Sequence, residues 1–255
     1  MSALLSIHGL RKSFGALQVT DGIDLDIEMG EVHAIIGPNG AGKTTFVSQL
    51  SGQLMPDAGK VIFDGRDITR LDMAGRARLG ISRSFQITRV LEGFSVLENV
   101  ALAVQARSGS SLRFFADAAC ERELNAVALE CLVRVGLDHR AQERASHLSH
   151  GEHRQLEFAI ALASQPRLLL LDEPFAGSGR EEADILLSLM RRLKGQQTIL
   201  LIEHDMQAVF SLADRVSVLV YGALIATGRP DEIRADPQVR SAYLGAEETG
   251  GAVGC

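Results

Sequence analysis

Cysteine is scarce in this chain: three residues in 255, Cys120, Cys131 and Cys255, with no C-x-x-C pair among them. An odd count without paired spacing excludes a disulfide framework and fits a reducing compartment, with the thiols read as structural rather than redox-active. No apolar run approaches the ~20 residues that span a bilayer, so any membrane role must pass through a partner. An excess of positive charge is also lacking. Lys and Arg number 26 against 32 Asp and Glu, a net charge of −6, which argues against a nucleic-acid-coating surface and leaves nucleic acid off the expected partners. The opening Met1-Ser2-Ala3-Leu4-Leu5 runs directly into His8, Arg11 and Lys12, so no secretory h-region is expected there. His147, His150 and His153 share no i, i+4 face and have no cysteine partner, so a metal is not expected at them. What remains is ordinary for a globular protein, 46% hydrophobic and 23% charged. The length suits one large α/β domain with a lobe, or two smaller domains.

Against this background one stretch stands out. Gly37-Pro38-Asn39-Gly40-Ala41-Gly42-Lys43-Thr44, with Thr45 behind it, fits G-x-x-x-x-G-K-[ST] at every fixed position. The preceding Val32–Ile36 is short and apolar, as a buried strand is, and Thr44 onward continues as a helix. Glycines at 37, 40 and 42 allow successive N–H groups to face one concavity, to which the helix adds its positive N-terminal end. Such a cup holds a di- or triphosphate. Lys43 supplies a point charge to the outer phosphates and the Thr44 hydroxyl a hard oxygen for Mg²⁺.

Before the loop, Leu4–Leu10, Leu17–Thr20 and Ile23–Ile27 read as strands broken at Asp21-Gly22 and Met29-Gly30, a small β layer. Phe14 in its turn-like segment reads more readily as a core aromatic than as a platform for a nucleobase. After the loop helix comes a strand over 59–65 with an Asp64-Gly65 turn. A short helix over 69–79 follows, whose Arg70, Arg76 and Arg78 read as a solvated face. Ile81–Phe85 resumes strand character and delivers Gln86. From about Val90 to Leu148 the periodicity is helical, with Leu124, Ala128, Cys131 and Val135 as an apolar seam closed by Gly136. Strands and helices then alternate: Arg167–Leu171, the amphipathic Arg180–Leu193, Thr198–Ile202, a helix to Leu212, and Val216–Val220. Apolar strands separated by helices imply an α/β fold with a mostly parallel sheet, whose ligands bind beyond the strands' C-terminal ends. Gly37, Asp172 and His204 each follow such an end. The Gly- and Ala-rich 245–255 is expected to be disordered.

Asp172, directly after a run of leucines, is where a nucleotide hydrolase places its Mg²⁺-side carboxylate, and Glu173 would face an attacking water as base. Without the phosphate loop the same Asp-Glu-Pro would read as a turn. Ser149-x-x-Glu152 ahead of Leu156–Ala163 is a capping box, and a capped helix start is also an anion site. Both readings stay open on these residues alone.

Taken in order, these residues resemble the ATP-binding-cassette family over the chain through Gly245. Gly37–Thr45 looks like the Walker A loop, Gln86 the Q-loop glutamine and Leu148–Glu152 the signature segment. Leu168–Asp172 with Glu173 resembles the Walker B strand and its glutamate, and His204 the H-loop histidine. Phe14 falls where that family places its base-stacking aromatic, which reverses the reading from pattern alone. The resemblance implies a P-loop NTPase core plus β layer over 1–89 and 149–245, a helical lobe over 90–148 and a tail over 246–255. It further implies ATP and Mg²⁺ as ligands: Phe14, the 37–45 loop, Ser149, Gly151 and Glu152 on the nucleotide, Thr44, Gln86 and Asp172 on the metal, and Glu173, His204 and Gln86 in hydrolysis. Two cassettes, identical or not, would sandwich each ATP between one phosphate loop and the other's signature helix.

Within the family, Arg83–Val90, the signature variant with His150 and Glu152, Leu201–Met206 and the ending Asp236-Pro237 to Ala242–Gly245 look most like the ATPase subunits of branched-chain amino-acid importers. That likeness implies integral membrane permease partners, an indirect link to a periplasmic-type solute-binding protein, and a peripheral place on the cytoplasmic face of the inner or plasma membrane. The lipopolysaccharide-export cassette shares the tail pattern, and soluble ATP-switched cassettes without transport are the other class. One departure concerns Ala176-Gly177-Ser178-Gly179, which puts glycine where the family has Asp or Asn in its D-loop. This implies weakened coupling between paired sites, or reliance on a partner's intact D-loop.

Overall fold

The computed structural model describes residues 3–84, 90–107, 118–177 and 179–247. The chain divides into two compact units: residues 1–81, 168–174 and 194–255 form the first, and 82–167 with 175–193 the second.

The first unit carries the β layer. Strands β1 (Leu5–Phe14) and β2 (Leu17–Ile27) pair antiparallel, with Leu5 opposite Ile27, Ile7 opposite Leu25 and Leu10 opposite Ile23. These six side chains are buried, so one face of the ribbon is apolar and fixes the register. The break expected at Asp21-Gly22 does not occur. The strand runs through it, with Gly22 at φ +66° and register shifts in β1 absorbing the irregularity. Two further strands, β4 (Ala58–Phe63) and β5 (Arg66–Asp67), complete the order β2-β1-β4-β5.

The second sheet has the order β10-β9-β3-β8-β7-β6, with β3 at Val32–Ile36, β6 at Ile81–Ser84, β7 at Leu168–Asp172, β8 at Thr198–Ile202, β9 at Arg215–Val220 and β10 at Ala223–Gly228. The pairs β3–β8, β3–β9 and β7–β8 are parallel, and β9–β10 is an antiparallel hairpin. Every residue of β3 and β8 is buried, as in strands of a parallel sheet covered on both faces. The parallel core and antiparallel layer expected from the sequence are both present.

Helix α1 (Lys43–Ser51) follows the phosphate loop, and α2 (Met73–Arg78) is shorter than the 69–79 expected. Arg76 is not on a solvated face. It is fully buried, and its guanidinium donates to the carbonyls of Gln49, Leu50, Thr69 and Leu71. Burial pulls its pKa down to about 10, with Asp67 opposing the fall. The cation sits on the last-turn carbonyls of α1, where the helix dipole favours it. Helix α7 (Met206–Leu212) is capped by the Asp205 carboxylate, which accepts from the N–H groups of Gln207 and Ala208. The chain ends in α8 (Pro230–Ala235) and α9 (Pro237–Glu247). Helix α9 runs through Gly245 to Glu247. Residues 248–255 lie outside the described residues.

The second unit is built on α3 (Val96–Arg107), α4 (Ala118–Val135), α5 (His150–Ala163) and α6 (Arg180–Leu193). The seam of α4 is buried at Ala128, Cys131, Leu132 and Val135, and Gly136 at φ +79° ends the helix. The Val135 carbonyl, left without an intrahelical donor, accepts from Gln155 of α5 at 2.8 Å and Arg192 of α6 at 3.3 Å. Burial of Leu156, Leu162, Leu186, Leu189 and Met190 supplies the apolar side of the same packing.

Candidate active site

Strand β3 delivers the chain into the phosphate loop. A Cβ at Gly37 would stand 2.0 Å from the Leu219 carbonyl oxygen, and one at Gly42 (φ +103°) 2.3 Å from that of Val19. Both glycines are therefore fixed by close approach of distant backbone. The loop is further held by Gly222 N–H donating to the Ala41 carbonyl at 3.0 Å and Ala41 N–H to that of Pro38 at 3.2 Å. Asn39, Gly40 and Thr44 are exposed, Pro38 and Thr45 half-buried. No side chain caps α1, so no capping group competes for its first N–H donors, as an anion site requires.

Lys43 folds back over the loop, its Nζ donating to the carbonyls of Gly37 at 2.7 Å and Pro38 at 3.0 Å. Burial lowers its pKa below the ordinary lysine value, opposed by the carboxylates of Glu173 and Asp172. That coupling puts both acids within Coulomb reach of the loop. Asp172 closes β7 opposite Ile202 of β8. Glu173 carries the ladder one residue further, donating its N–H to the Ile202 carbonyl at 2.9 Å from a left-handed backbone with φ +50°. A non-glycine residue there costs roughly 1–3 kcal/mol, strain of the kind that gathers at functional sites. His204 follows β8, and its Nδ1 lies 3.9 Å from Glu173 Oε1, with the imidazole 62% and the carboxylate 41% exposed. At the C-terminal ends of β3, β7 and β8, Lys43 thus feels Asp172 and Glu173, and His204 stands beside Glu173.

Phe14 is 51% exposed, next to the Gly15 turn and opposite Leu17. Lys12 Nζ stands 5.7 Å from the ring centroid and pairs with Asp57 at 2.6 Å. The core reading of Phe14 does not hold. Gln86 lies outside the described residues.

In the second unit, Ser149 and Glu152 open α5 with a complete capping box. Ser149 Oγ accepts from Glu152 N–H at 3.3 Å, and Glu152 Oε2 accepts from Ser149 N–H at 2.8 Å. Partial burial pushes the Glu152 carboxyl up, but the hydrogen bonds from Ser149, with Arg140 and His139, outweigh it and leave the pKa below the ordinary glutamate value. Gly151 is buried, yet a Cβ there would meet nothing closer than 3.5 Å.

The sequence reading passed over Glu203. It is fully buried beneath His204 and accepts from the His204 N–H at 3.1 Å. The only trace of it in the sequence is an acid standing between the end of an apolar strand and the helix cap Asp205.

Two family models match the chain: one for the ABC transporter over residues 20–176, and one for the branched-chain amino acid ATP-binding cassette transporter over 223–249. The high-affinity branched-chain amino acid transport ATP-binding protein BraF of Pseudomonas aeruginosa is 37% identical over 249 residues, covering 95% of this chain and 98% of the relative. LivG of Escherichia coli, a protein of the same description, is 37% identical over 254 residues with the same coverage. Among solved structures, the ADP conformation of MJ1267, an ATP-binding cassette of an ABC transporter, superposes with a TM-score of 0.83 at 29% identity, covering 96% of this chain and all of that one. A nucleotide-free ATP-binding cassette from an ABC transporter gives 0.79 at 30% identity over 94% and 98%. With matches of this extent joined to a phosphate loop, a strand-end Asp-Glu pair and a neighbouring histidine, the chain belongs to the ATP-binding-cassette transporter family.

Proposed function

We propose that this chain is the ATP-hydrolysing subunit of an importer for branched-chain or related amino acids, pairing with a second cassette and with membrane permease subunits that meet a solute-binding protein. The observation that carries the hydrolytic reading is the placement of Lys43, Asp172, Glu173 and His204 around one phosphate loop. The transport reading is supported by the C-terminal family match over 223–249 and by the descriptions of the relatives. Among the described residues no helix is long and apolar enough to cross a membrane, so the coupling passes through partners.

The donor set fits Mg²⁺. The exposed Thr44 hydroxyl and the Asp172 carboxylate are hard oxygens, and Asp172 is near enough to Lys43 to favour its charged form. Held by Thr44 and Asp172, Mg²⁺ would supply positive charge to the nucleotide's phosphates. The loop N–H groups and the N-terminus of α1 hold the phosphates, and Lys43 adds its charge to the outer ones. Glu173 orients the attacking water and takes its proton, with His204 beside it. Phe14 offers its exposed ring to the base. Ser149, Gly151 and Glu152 serve the nucleotide held by the other cassette, and Gln86 joins the metal and the water.

Replacing Glu173 with Gln is expected to lower phosphate release at least about a hundredfold while ATP-dependent pairs accumulate, seen by size exclusion. A polytopic membrane protein should copurify from detergent extracts. A wild-type chain that neither pairs nor hydrolyses ATP, even with its permease, would sink the reading.

A further inference from the structure

Glu203 has no part in the chemistry assigned so far, and its setting calls for one. The side chain is 1% exposed, and a carboxylate taken out of water is costly unless hydrogen bonds repay its lost hydration. Apolar packing does not account for it, since a leucine would fill the same kind of space without that cost. What an acid supplies here is an acceptor. Glu203 Oε2 takes the N–H of His204 at 3.1 Å and reaches that of Asp205 at 3.5 Å. The backbone N–H of Glu203 donates to the Ile35 carbonyl at 3.4 Å, tying the turn to the strand that ends in the phosphate loop.

Asp205 is committed to capping α7. His204 stands between these two anchored residues with an imidazole that is 62% exposed and only loosely enclosed. Its Nδ1 lies 3.8 Å from Glu203 Oε2 and 3.9 Å from Glu173 Oε1, beyond hydrogen-bond length but within range of both fields. The ring is aimed chiefly by the backbone that carries it, and Glu203 holds that backbone.

We propose that Glu203 is the positioning residue for His204, acting on hydrolysis only through the direction in which the H-loop presents the imidazole to Glu173 and the phosphates. The inference rests on the ATPase reading of this site.

The test is a double-mutant cycle on the full chain, with the permease that copurifies with it, reading steady-state ATP hydrolysis. Glu203→Leu, which removes the acceptor, is expected to lower kcat about tenfold while the KM for ATP stays within about twofold, because a misaimed group costs rate rather than nucleotide affinity. Glu203→Gln, which keeps an acceptor oxygen, should retain at least about half of the wild-type kcat. In a His204→Ala background Glu203→Leu should add less than about a twofold further loss, since residues acting as a unit are non-additive. An equal loss in both backgrounds, a parallel collapse of kcat and ATP affinity, or wild-type kcat in Glu203→Leu would overturn the proposal. Should the leucine variant not fold, Glu203→Asp, which withdraws the carboxylate by one methylene, goes through the same cycle with an intermediate loss expected and the same dependence on His204. A wild-type chain without ATPase activity would remove the underlying reading itself, whereas the pattern among the variants bears on Glu203 alone.

Discussion

The phosphate loop and the start of α5 are the two helix heads that the proposed function assigns to phosphate, and they are built in opposite ways. At the loop, no side chain caps α1, and the backbone is shaped by carbonyls of Leu219 and Val19 from far along the chain. At α5, the shaping is local: Ser149 and Glu152 satisfy each other's N–H groups within four residues. The first helix head has no capping side chain to occupy its donors, so under the proposed function they are left to the nucleotide. The second has already spent one of them on Ser149 Oγ, so an incoming phosphate must share or displace that bond. Under the proposed function this asymmetry would suit a clamp in which the phosphate loop holds the nucleotide and the start of α5 meets it only when two cassettes pair.

Glycine replacement should break the comparison most sharply. Gly37→Ala drives a methyl into the Leu219 carbonyl, and since the methyl is fixed rigidly to one buried backbone segment and the carbonyl belongs to another, the loop must distort. A loss of about 3 kcal/mol or more in stability is expected, with ATP binding by the single chain abolished in calorimetry. Gly151→Ala meets only side-chain carbons at ordinary contact distance, the Ile185 methyl at 3.5 Å and Glu182 Cγ at 3.6 Å, and a helical Gly→Ala change adds up to about 1 kcal/mol, so thermal unfolding should stay level or rise. Equal destabilisation by the two changes would remove the distinction between a loop made by distant contacts and a helix start made by local ones.

Next in size is the capping box. Ser149→Ala should cost about 1 kcal/mol in urea unfolding, leave nucleotide binding to the single chain intact and weaken ATP-dependent pairing. The box also has an acid limb. The Glu152 pKa in the folded chain lies below its ordinary value of 4.5, so the unfolded chain binds that proton more readily and the stabilisation is present above the ordinary value. It is lost as pH falls from there through the folded pKa. Glu152→Gln should flatten this part of the stability–pH curve, and a curve superposable on wild type would show that the hydrogen bonds to Ser149 carry no charge-dependent weight.

The same contrast decides what could be read from the sequence. The Asp172-Glu173 pair, the Ser149–Glu152 box and the phosphate-loop pattern are each set within a few neighbouring residues, and they stand where the sequence puts them. The burial of Arg76 is not legible in the sequence because it is decided by the carbonyls of Gln49 and Leu50, more than two dozen positions away. Nothing near it in sequence signals a helix end in need of a cation. Asp21-Gly22 looked like a break because a turn dipeptide is a local signal, whereas the strand is held through it by pairing with β1 and by Asp21 N–H on the Gly222 carbonyl. Phe14 was ambiguous for the complementary reason, since exposure is a property of the folded surface. Glu203 was invisible as a functional residue because its value lies in an acceptor turned inward beneath a histidine that carries the recognisable chemistry.

The smallest expected effect lies at Gly179, which precedes α6 and where an added Cβ would meet nothing within 4 Å. Its N–H already donates to Glu182 Oε2 at 3.3 Å, half of a capping box that lacks only a side chain at the cap. Gly179→Asp supplies the missing half, and because glycine is itself a tolerable cap the gain in stability should be only a few tenths of a kcal/mol. Its effect on turnover tests a different property. If the bare cap weakens communication between paired sites, the aspartate should raise the Hill coefficient for ATP in steady-state hydrolysis even though α6 is hardly more stable. Unchanged turnover and cooperativity, with the small stability gain present, would confine Gly179 to the role of a helix cap and leave the coupling to other parts of the pair.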